Sequence, residues 1–298
     1  MASSSRCAAC DRPGLRYHLE VAGEAGTDGL IPTTDRFGKA LADIFRCPTC
    51  GHMQLEPMPD ESMLAQAYAQ AASDDYVKEE AGQRETARRT LALMEHYAPA
   101  RGKLLDLGCW VGFLLAEARQ RGWDTCGVEP SQFAAEYAQE KLGLQVIKAD
   151  LLSAELPAHV YDAVTMGDVI EHLPCPADAL RRVRELLAAR GILWLALPDA
   201  GSLLARTMGR RWWSVLPTHV QYFTRGSIST LLARNGFEVL NVITAPKAFS
   251  VHYYLERTGG YSEGLSRALV AGAQRLGVAN RMWAPDFRDR MAVIARLS

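Results

Sequence analysis

No run of this 298-residue chain approaches the ~18 consecutive apolar residues that a membrane-spanning helix requires. The opening MASSSR has no apolar stretch behind it of the kind a secretory signal carries, so the expected location is the cytoplasm. An excess of one charge is also missing. Lysine and arginine number 33 against 34 aspartate and glutamate, a net charge of −1. Such a balance creates no global field to collect a polyanion, and nucleic acid is not expected as a partner. Internal repeats and low-complexity tracts are lacking, which excludes solenoid and fibrous architectures. What remains, 48% hydrophobic and 22% charged residues, is the composition of a soluble globular protein long enough for one large domain and a small one.

Cysteine is present in an informative arrangement. Four of the seven cysteines form two C-x-x-C pairs, Cys7/Cys10 and Cys47/Cys50, each able to offer a tetrahedral zinc ion two thiolates from one tight turn. In a reducing compartment this pairing favours metal over disulfides. Four thiolates leave no open coordination position, so the zinc is expected to be structural. The 36 residues between the pairs hold strand-like pieces such as 15–21 and a glycine-bearing segment, 23–29, read as looped out. Cys109, Cys126 and Cys175 are read as small buried hydrophobes.

The centre of the chain is 104–113, LLDLGCWVGF. Two leucines and an alternating apolar run make a short buried strand that ends near Asp106 and turns over Gly108 and Gly112 into an amphipathic helix. The two glycines are read as letting the backbone approach a ligand, with the helix N-terminus aimed at it. The third glycine of a dinucleotide loop is missing, because Cys109 and Trp110 stand between the two, and a ligand without phosphates is expected. A second strand, 123–128, ends in Glu129-Pro130, where a doubly wound α/β fold places the carboxylate that holds ribose hydroxyls. Ser131 reads as a helix cap and Gly143 as a stop, before a third strand, 145–148, leading to Asp150. The fourth strand, 163–166, runs into Gly167-Asp168-Val169-Ile170-Glu171-His172. A helix over 176–189 and a strand over 192–197 continue the alternation. An insertion, 198–224, follows and is read as a lid over an acceptor, since it leaves the end of a strand that faces the ligand crevice. Residues 290–296 are read as a last, edge strand.

The D-x-G-C-x-x-G pattern of Asp106, Gly108, Cys109 and Gly112, together with the ordered strand ends at Glu129 and Asp150, resembles the class I S-adenosylmethionine (SAM) dependent methyltransferases across most of 104–197. The resemblance implies an α/β, Rossmann-like sheet of seven strands with the last antiparallel. It also implies SAM as cofactor. Gly108, Cys109, Trp110, Gly112 and Phe113 would lie under its methionine part. Glu129 with Pro130 would hold the ribose, and Asp150 with Leu151 the adenine. Asp106, Met166 and Gly167 would complete the site. The family usually has a glycine where Trp110 stands.

SAM is already activated by its sulfonium, so such an enzyme aligns an acceptor and excludes water, and an alcohol or enolisable carbon also needs its proton removed. His219 in the lid and His172 after the fourth strand are the candidate bases. Tyr76, Tyr222 and Trp213 are candidate acceptor contacts, and Tyr68 is a candidate cover. Asp168, Glu171 and His172 also resemble a divalent-metal cluster of some RNA and quinone methyltransferases.

The expected organisation is a zinc-ribbon-like module over 1–58, a helical linker and cofactor cover over 59–102, and the methyltransferase domain over 103–298. A four-cysteine module joined to this core resembles enzymes that methylate sugars and secondary metabolites. The expected partner is therefore a small-molecule acceptor, methylated at a hydroxyl. Three alternatives stay open: carbon methylation of a nucleotide-linked keto-deoxysugar, a ribosomal-RNA methyltransferase, and a non-catalytic interaction protein.

Overall fold

The computed structural model describes residues 5–23, 37–71, 77–98 and 100–298. Three short strands come first, β1 (Arg16–Leu19), β2 (Asp43–Arg46) and β3 (Met53–Glu56), paired antiparallel in that order. The first cysteine pair precedes β1 and the second forms the turn between β2 and β3. Of the 23–29 segment, only Gly23 falls within the described residues.

Helices α1 (Glu61–Ala69) and α2 (Glu80–Met94) follow. Asp60 caps α1 by accepting from the backbone amides of Ser62 and Met63, satisfying two of the donors that a helix start leaves free. Helix α2 buries Ala87, Leu91 and Met94, the side marked by its apolar spacing.

The chain then alternates β4 (Lys103–Leu107), α3 (Phe113–Gln120), β5 (Asp124–Val128), α4 (Gln132–Glu136), β6 (Val146–Ile147), β7 (Tyr161–Gly167), α5 (Pro176–Leu186) and β8 (Leu187–Pro198). After these come α6 (Leu203–Met208), β9 (Gln221–Tyr222), α7 (Arg225–Arg234) and β10 (Phe237–Thr244). A small hairpin of β11 (Phe249–Ser250) and β12 (Met282–Trp283) encloses α8 (Val251–Arg257) and α9 (Glu263–Arg275), before the last strand, β13 (Arg290–Leu297).

Seven strands make the main sheet, in the order β6-β5-β4-β7-β8-β13-β10. The pairs from β6 to β8 are parallel, while β13 runs antiparallel to both its neighbours. Strands of a parallel sheet are covered on both faces, which is why Leu104, Leu105 and Leu107 of β4 are all fully buried. The order reverses at β4, which has β5 on one side and β7 on the other. That reversal opens a crevice beyond their C-terminal ends.

Three expectations are corrected. Residues 290–297 form an interior strand inserted between β8 and β10, not the edge; Met291 to Ala295 are buried without interruption, as an interior position demands. Strand β8 begins at Leu187, five residues before the expected 192, and α5 ends correspondingly early. The 198–224 insertion is not a free loop. It carries α6, a 3-10 turn at Gly209–Arg211 and β9, which joins the N-terminal sheet to give the order β1-β2-β3-β9. Its apolar residues Trp212, Val215 and Val220 are buried in one cluster with Ile44, Leu55 and Leu64. The segment is therefore shared between the N-terminal sheet and the main domain.

Candidate active site

At the crevice, β4 presents Asp106 and β5 leads to Glu129. Both carboxylates are buried, and neither has a cationic partner among the described residues. Asp106 accepts from the Thr165 hydroxyl at 2.6 Å; burial nevertheless pushes its pKa up to about 6. Burial likewise raises Glu129 to about 7, with the negative charge of Asp106 adding to the shift. Glu129 accepts from the Trp110 backbone amide at 2.8 Å and the Ser131 amide at 2.9 Å. Those bonds bind the glycine turn to the end of β5.

The turn owes its form to more than ligand clearance. Gly108 and Gly112 have φ of +75° and +82°, conformations that disfavour a side chain. A Cβ at Gly108 would lie 2.5 Å from Val169 Cγ2, and one at Gly112 would lie 2.5 Å from Leu144 Cδ1. Protein side chains therefore pack on both glycines. Trp110, at the position the family gives to glycine, also adopts a positive φ of 49°. The residue departs from the pattern while the backbone keeps it. Helix α3 begins at Gly112 with no side chain capping it, and Phe113 is buried with the Arg84 guanidinium above its ring.

The remaining cofactor candidates fall along the same edge of the sheet. Cys109 and Met166 are buried, Pro130 and Leu151 are half-buried, and Gly167 is exposed at the end of β7. The Asp150 carboxylate is engaged locally, accepting from the Leu152 and Ser153 amides at 2.9 and 3.0 Å, and these bonds help hold its pKa below the usual range despite partial burial.

The two candidate bases come together. The His172 and His219 rings are 4.6 Å apart, edge to face. His172 Nδ1 donates to the Thr218 carbonyl at 2.9 Å and also touches the Tyr68 hydroxyl; His219 Nδ1 donates to the Ser214 carbonyl at 2.8 Å. Each ring therefore carries its proton on Nδ1 and leaves Nε2 with a free lone pair. Burial keeps both neutral, lowering His172 to about 4 and His219 well below its ordinary value. Glu171 sits with them, buried, and neither of its carboxylate oxygens has a hydrogen-bond partner among the described residues. Burial, reinforced by Asp168, pushes its pKa up to about 8. Ligand atoms of Glu171, His172 and His219 all lie within 4.8 Å of one another.

Asp168 does not belong to that trio. Arg290 and Lys247 both pair with its carboxylate and hold its pKa down against burial. The cluster suggested by Asp168, Glu171 and His172 is corrected to Glu171, His172 and His219. The Tyr222 hydroxyl and Thr218 Oγ1, close in sequence to His219, are also buried without hydrogen-bond partners among the described residues. Tyr222 packs on the His219 ring at 6.4 Å. Trp213 instead rests on Phe287 at 5.6 Å, and Tyr76 lies outside the described residues. Sequence reading missed Thr218 and Gln221, which no motif marked.

At the N-terminus, Cys7, Cys10, Cys47 and Cys50 converge, with Cys7 Sγ 3.5 Å from Cys50 Sγ and Cys10 Sγ 3.6 Å from Cys47 Sγ. Tetrahedral zinc with bonds of about 2.3 Å would space its sulfurs roughly 3.8 Å apart. All four sulfurs lie within 4.8 Å of one another, close enough to share such an ion.

The sheet order, with its antiparallel strand inserted next to the end, is that of a class I SAM-dependent methyltransferase fold. Two solved structures share it. A SAM-dependent methyltransferase from Archaeoglobus fulgidus superposes with a TM-score of 0.50 at 19% identity, over 71% of this chain and 93% of that one. Magnesium protoporphyrin IX methyltransferase from Synechocystis PCC 6803, with bound S-adenosylhomocysteine, gives 0.50 at 16% identity, over 73% and 84%. A family model described as a methyltransferase domain matches residues 79–242, more than half of the chain, and the chain belongs to that family. The ubiquinone biosynthesis O-methyltransferase of Leptothrix cholodnii is 32% identical over 102 residues, 32% of this chain and 43% of its own. The C-methyltransferase NovU of Streptomyces niveus is 26% identical over 231 residues, 74% of this chain and 50% of its own. The chain thus spans half or less of the length of these curated relatives.

Proposed function

We propose that the protein is a SAM-dependent methyltransferase that methylates a hydroxyl of a small molecule, a sugar or secondary metabolite. The observation that carries this reading is the pair of buried carboxylates, Asp106 and Glu129, at the reversal point of the sheet, neither with a cationic partner among the described residues. Such a pair favours a ligand that brings positive charge and hydroxyl donors. SAM supplies both, and its sulfonium supplies an activated methyl group. Glu129 holds the ribose hydroxyls, Asp106 supports the turn facing the methionine part, and Asp150 with Leu151 borders the adenine.

His219 acts as the general base. Its Nδ1–H is committed to the Ser214 carbonyl, so Nε2 would be left to take the acceptor's hydroxyl proton, with the methyl group supplied by SAM when bound. Because the imidazole is neutral, it can accept the proton, which leaves the hydroxyl as the new bond forms. His172 packs against the base, while the Tyr222 hydroxyl and Thr218 Oγ1 bind the acceptor. The N-terminal module, 1–58, holds one structural zinc through Cys7, Cys10, Cys47 and Cys50. Residues 59–102 cover the transferase domain, 103–298.

Calorimetric titration with S-adenosylhomocysteine tests the cofactor site without knowledge of the acceptor. Micromolar one-to-one binding that is weakened in Glu129→Ala supports the reading; no binding by folded protein refutes it. Turnover with methyl-labelled SAM over a panel of sugar nucleotides and phenols then identifies the acceptor. An O-methyl product is expected; a C-methyl product would point instead to the activity named for NovU, to which the likeness is longest among the relatives described above.

A second reading rests on the orphaned Glu171 carboxylate. With His172 and His219 each offering Nε2, it forms a three-donor set suited to a divalent cation, which would polarise the acceptor oxygen. The two readings differ in one titration: stimulation of turnover by added Mg²⁺, Mn²⁺ or Zn²⁺ favours the cation, and indifference to all three favours the base.

A further inference from the structure

The cysteine knuckle and the two histidines lie far apart in the sequence, yet a set of polar contacts joins the segments that carry them. His52 lies two residues after Cys50, and the Cys47 amide donates to its carbonyl at 2.7 Å, so the knuckle sets its position. The His52 side chain has no exposure; its Nε2 donates to Gln221 Oε1 at 2.8 Å. Gln221, 1% exposed, spends its amide protons on the Leu173 carbonyl at 3.2 Å and the Pro174 carbonyl at 3.0 Å. Leu173 directly follows His172, and Gln221 lies two residues after His219. One glutamine therefore grips both histidine-bearing segments and the knuckle.

The backbone repeats the connection. Gln221 and Tyr222 pair with Gln54 and Met53 of β3. The Leu55 amide donates to the Val220 carbonyl and the Val220 amide to the Glu171 carbonyl, both at 3.0 Å. His52 also packs on Phe223, ring centres 4.6 Å apart. The Gln54 side chain, opposite Gln221 in register, accepts from the Ala8 amide at 2.8 Å and so draws in the first knuckle.

A buried amide and imidazole are costly to leave unbonded, and an apolar pair of the same volume would serve packing alone; His52 bonds through Nε2, while its Nδ1 has no partner among the described residues. Their value lies in direction. Glutamine offers one acceptor and two donors in a plane, and all three are used here. Leucine supplies none of these, and glutamate lacks the donors.

We infer that His52 and Gln221 form a positioning bridge through which the four-cysteine module fixes the mutual placement of His172 and His219. Neither residue touches the reacting atoms in this arrangement. The role assigned to the N-terminal module is thus to hold the acceptor side of the site, separately from the cofactor crevice at Asp106 and Glu129. This inference rests on the methyltransferase reading for its catalytic meaning, though its test does not require an acceptor.

The test compares Gln221→Leu with the unaltered protein, uniformly labelled at the histidine ring nitrogens and observed by NMR. Zinc content and S-adenosylhomocysteine binding are measured on the same samples. The expected result is one zinc per chain and an unchanged dissociation constant, with the ring-nitrogen signals of His172 and His219 shifted or split and those of exposed His96 and His159 unmoved. Unmoved signals from His172 and His219, in protein that keeps its zinc and binds the probe, would overturn the inference. Should Gln221→Leu fail to fold, Gln221→Glu serves. It keeps the acceptor for His52 and loses both donors, so the His172 signal must move, and its constancy would equally refute the bridge. Failure of the unaltered protein to bind S-adenosylhomocysteine would count against the enzyme reading and leave the comparison of ring signals intact.

Discussion

The Glu129 carboxylate and the Trp110 backbone amide meet at 2.8 Å across 19 residues of sequence, and this bond sets the glycine turn against the end of β5. Trp110 holds its left-handed backbone there although it is not glycine, so the carboxylate is a structural partner of the turn as well as a candidate ribose ligand. Replacing Glu129 by alanine removes charge-assisted hydrogen bonds worth about 1.5–3 kcal/mol each. Weakening of S-adenosylhomocysteine binding by roughly 10- to 100-fold is expected, read by calorimetry.

The same carboxylates make binding depend on pH. Glu129 and Asp106 have folded-state pKa values raised to about 7 and about 6, chiefly by burial. A carboxyl raised on folding contributes stability below its ordinary pKa and loses that contribution as pH climbs through the folded value. The free protein should lose stability from these groups between about pH 4 and 7. Ribose hydroxyls donate to the ionised form, so ligand affinity should rise over pH 5.5–8. Thermal unfolding with and without S-adenosylhomocysteine across that range checks both signs: the gap in Tm should widen with pH.

His219→Ala should lower turnover by about 10²- to 10⁴-fold, the usual contribution of a positioned general base, with cofactor affinity held within about twofold of the starting value. Single-turnover kinetics with labelled SAM separate the two. Normal turnover in this variant would pass the role of base to His172.

Metal removal should act on the N-terminal sheet. One zinc per chain is expected by elemental analysis, and Cys47→Ser should release it and lower Tm, because a four-thiolate site contributes its binding energy to folding. Equal Tm for the variant and the zinc-loaded protein would contradict a structural metal.

Glycine substitutions should separate backbone strain from steric contact. Gly108→Ala places a Cβ 2.5 Å from Val169, whereas Gly122→Ala, at a comparably positive φ of +94°, meets nothing within 4 Å. The second pays only the cost of the left-handed conformation, about 1 kcal/mol, and the first should exceed it by about 1–3 kcal/mol through overpacking. Chemical denaturation of both variants measures the difference.

Much of the cofactor side was legible in sequence because it is local. An apolar run, a turn and an acidic strand end lie within a few residues of one another at Asp106, Glu129 and Asp150, and each carries its own signal of period or capping. Ser131 shows this most directly, capping the helix that follows it as its side-chain chemistry requires. The acceptor side was less legible. His172 and His219 stood out as titratable residues in suggestive places, but Gln221, Thr218 and the exclusion of Asp168 had no local mark. Asp168 is withdrawn from the cluster by Arg290 and Lys247, residues that no spacing rule connects to it.

The alternation of strands and helices, the glycine turn with its acidic partners, and the two cysteine knuckles are all legible in the chain's residues, since they follow from short-range periodicity, backbone freedom and ligand spacing. Long-range packing alone brings 290–297 into the interior of the sheet, adds β9 to the N-terminal sheet and sets His172 against His219. These depend on which buried surfaces find one another across 50 to 170 residues of chain. That choice is made by total burial and by the pairing of buried polar groups, quantities that no single stretch of sequence contains.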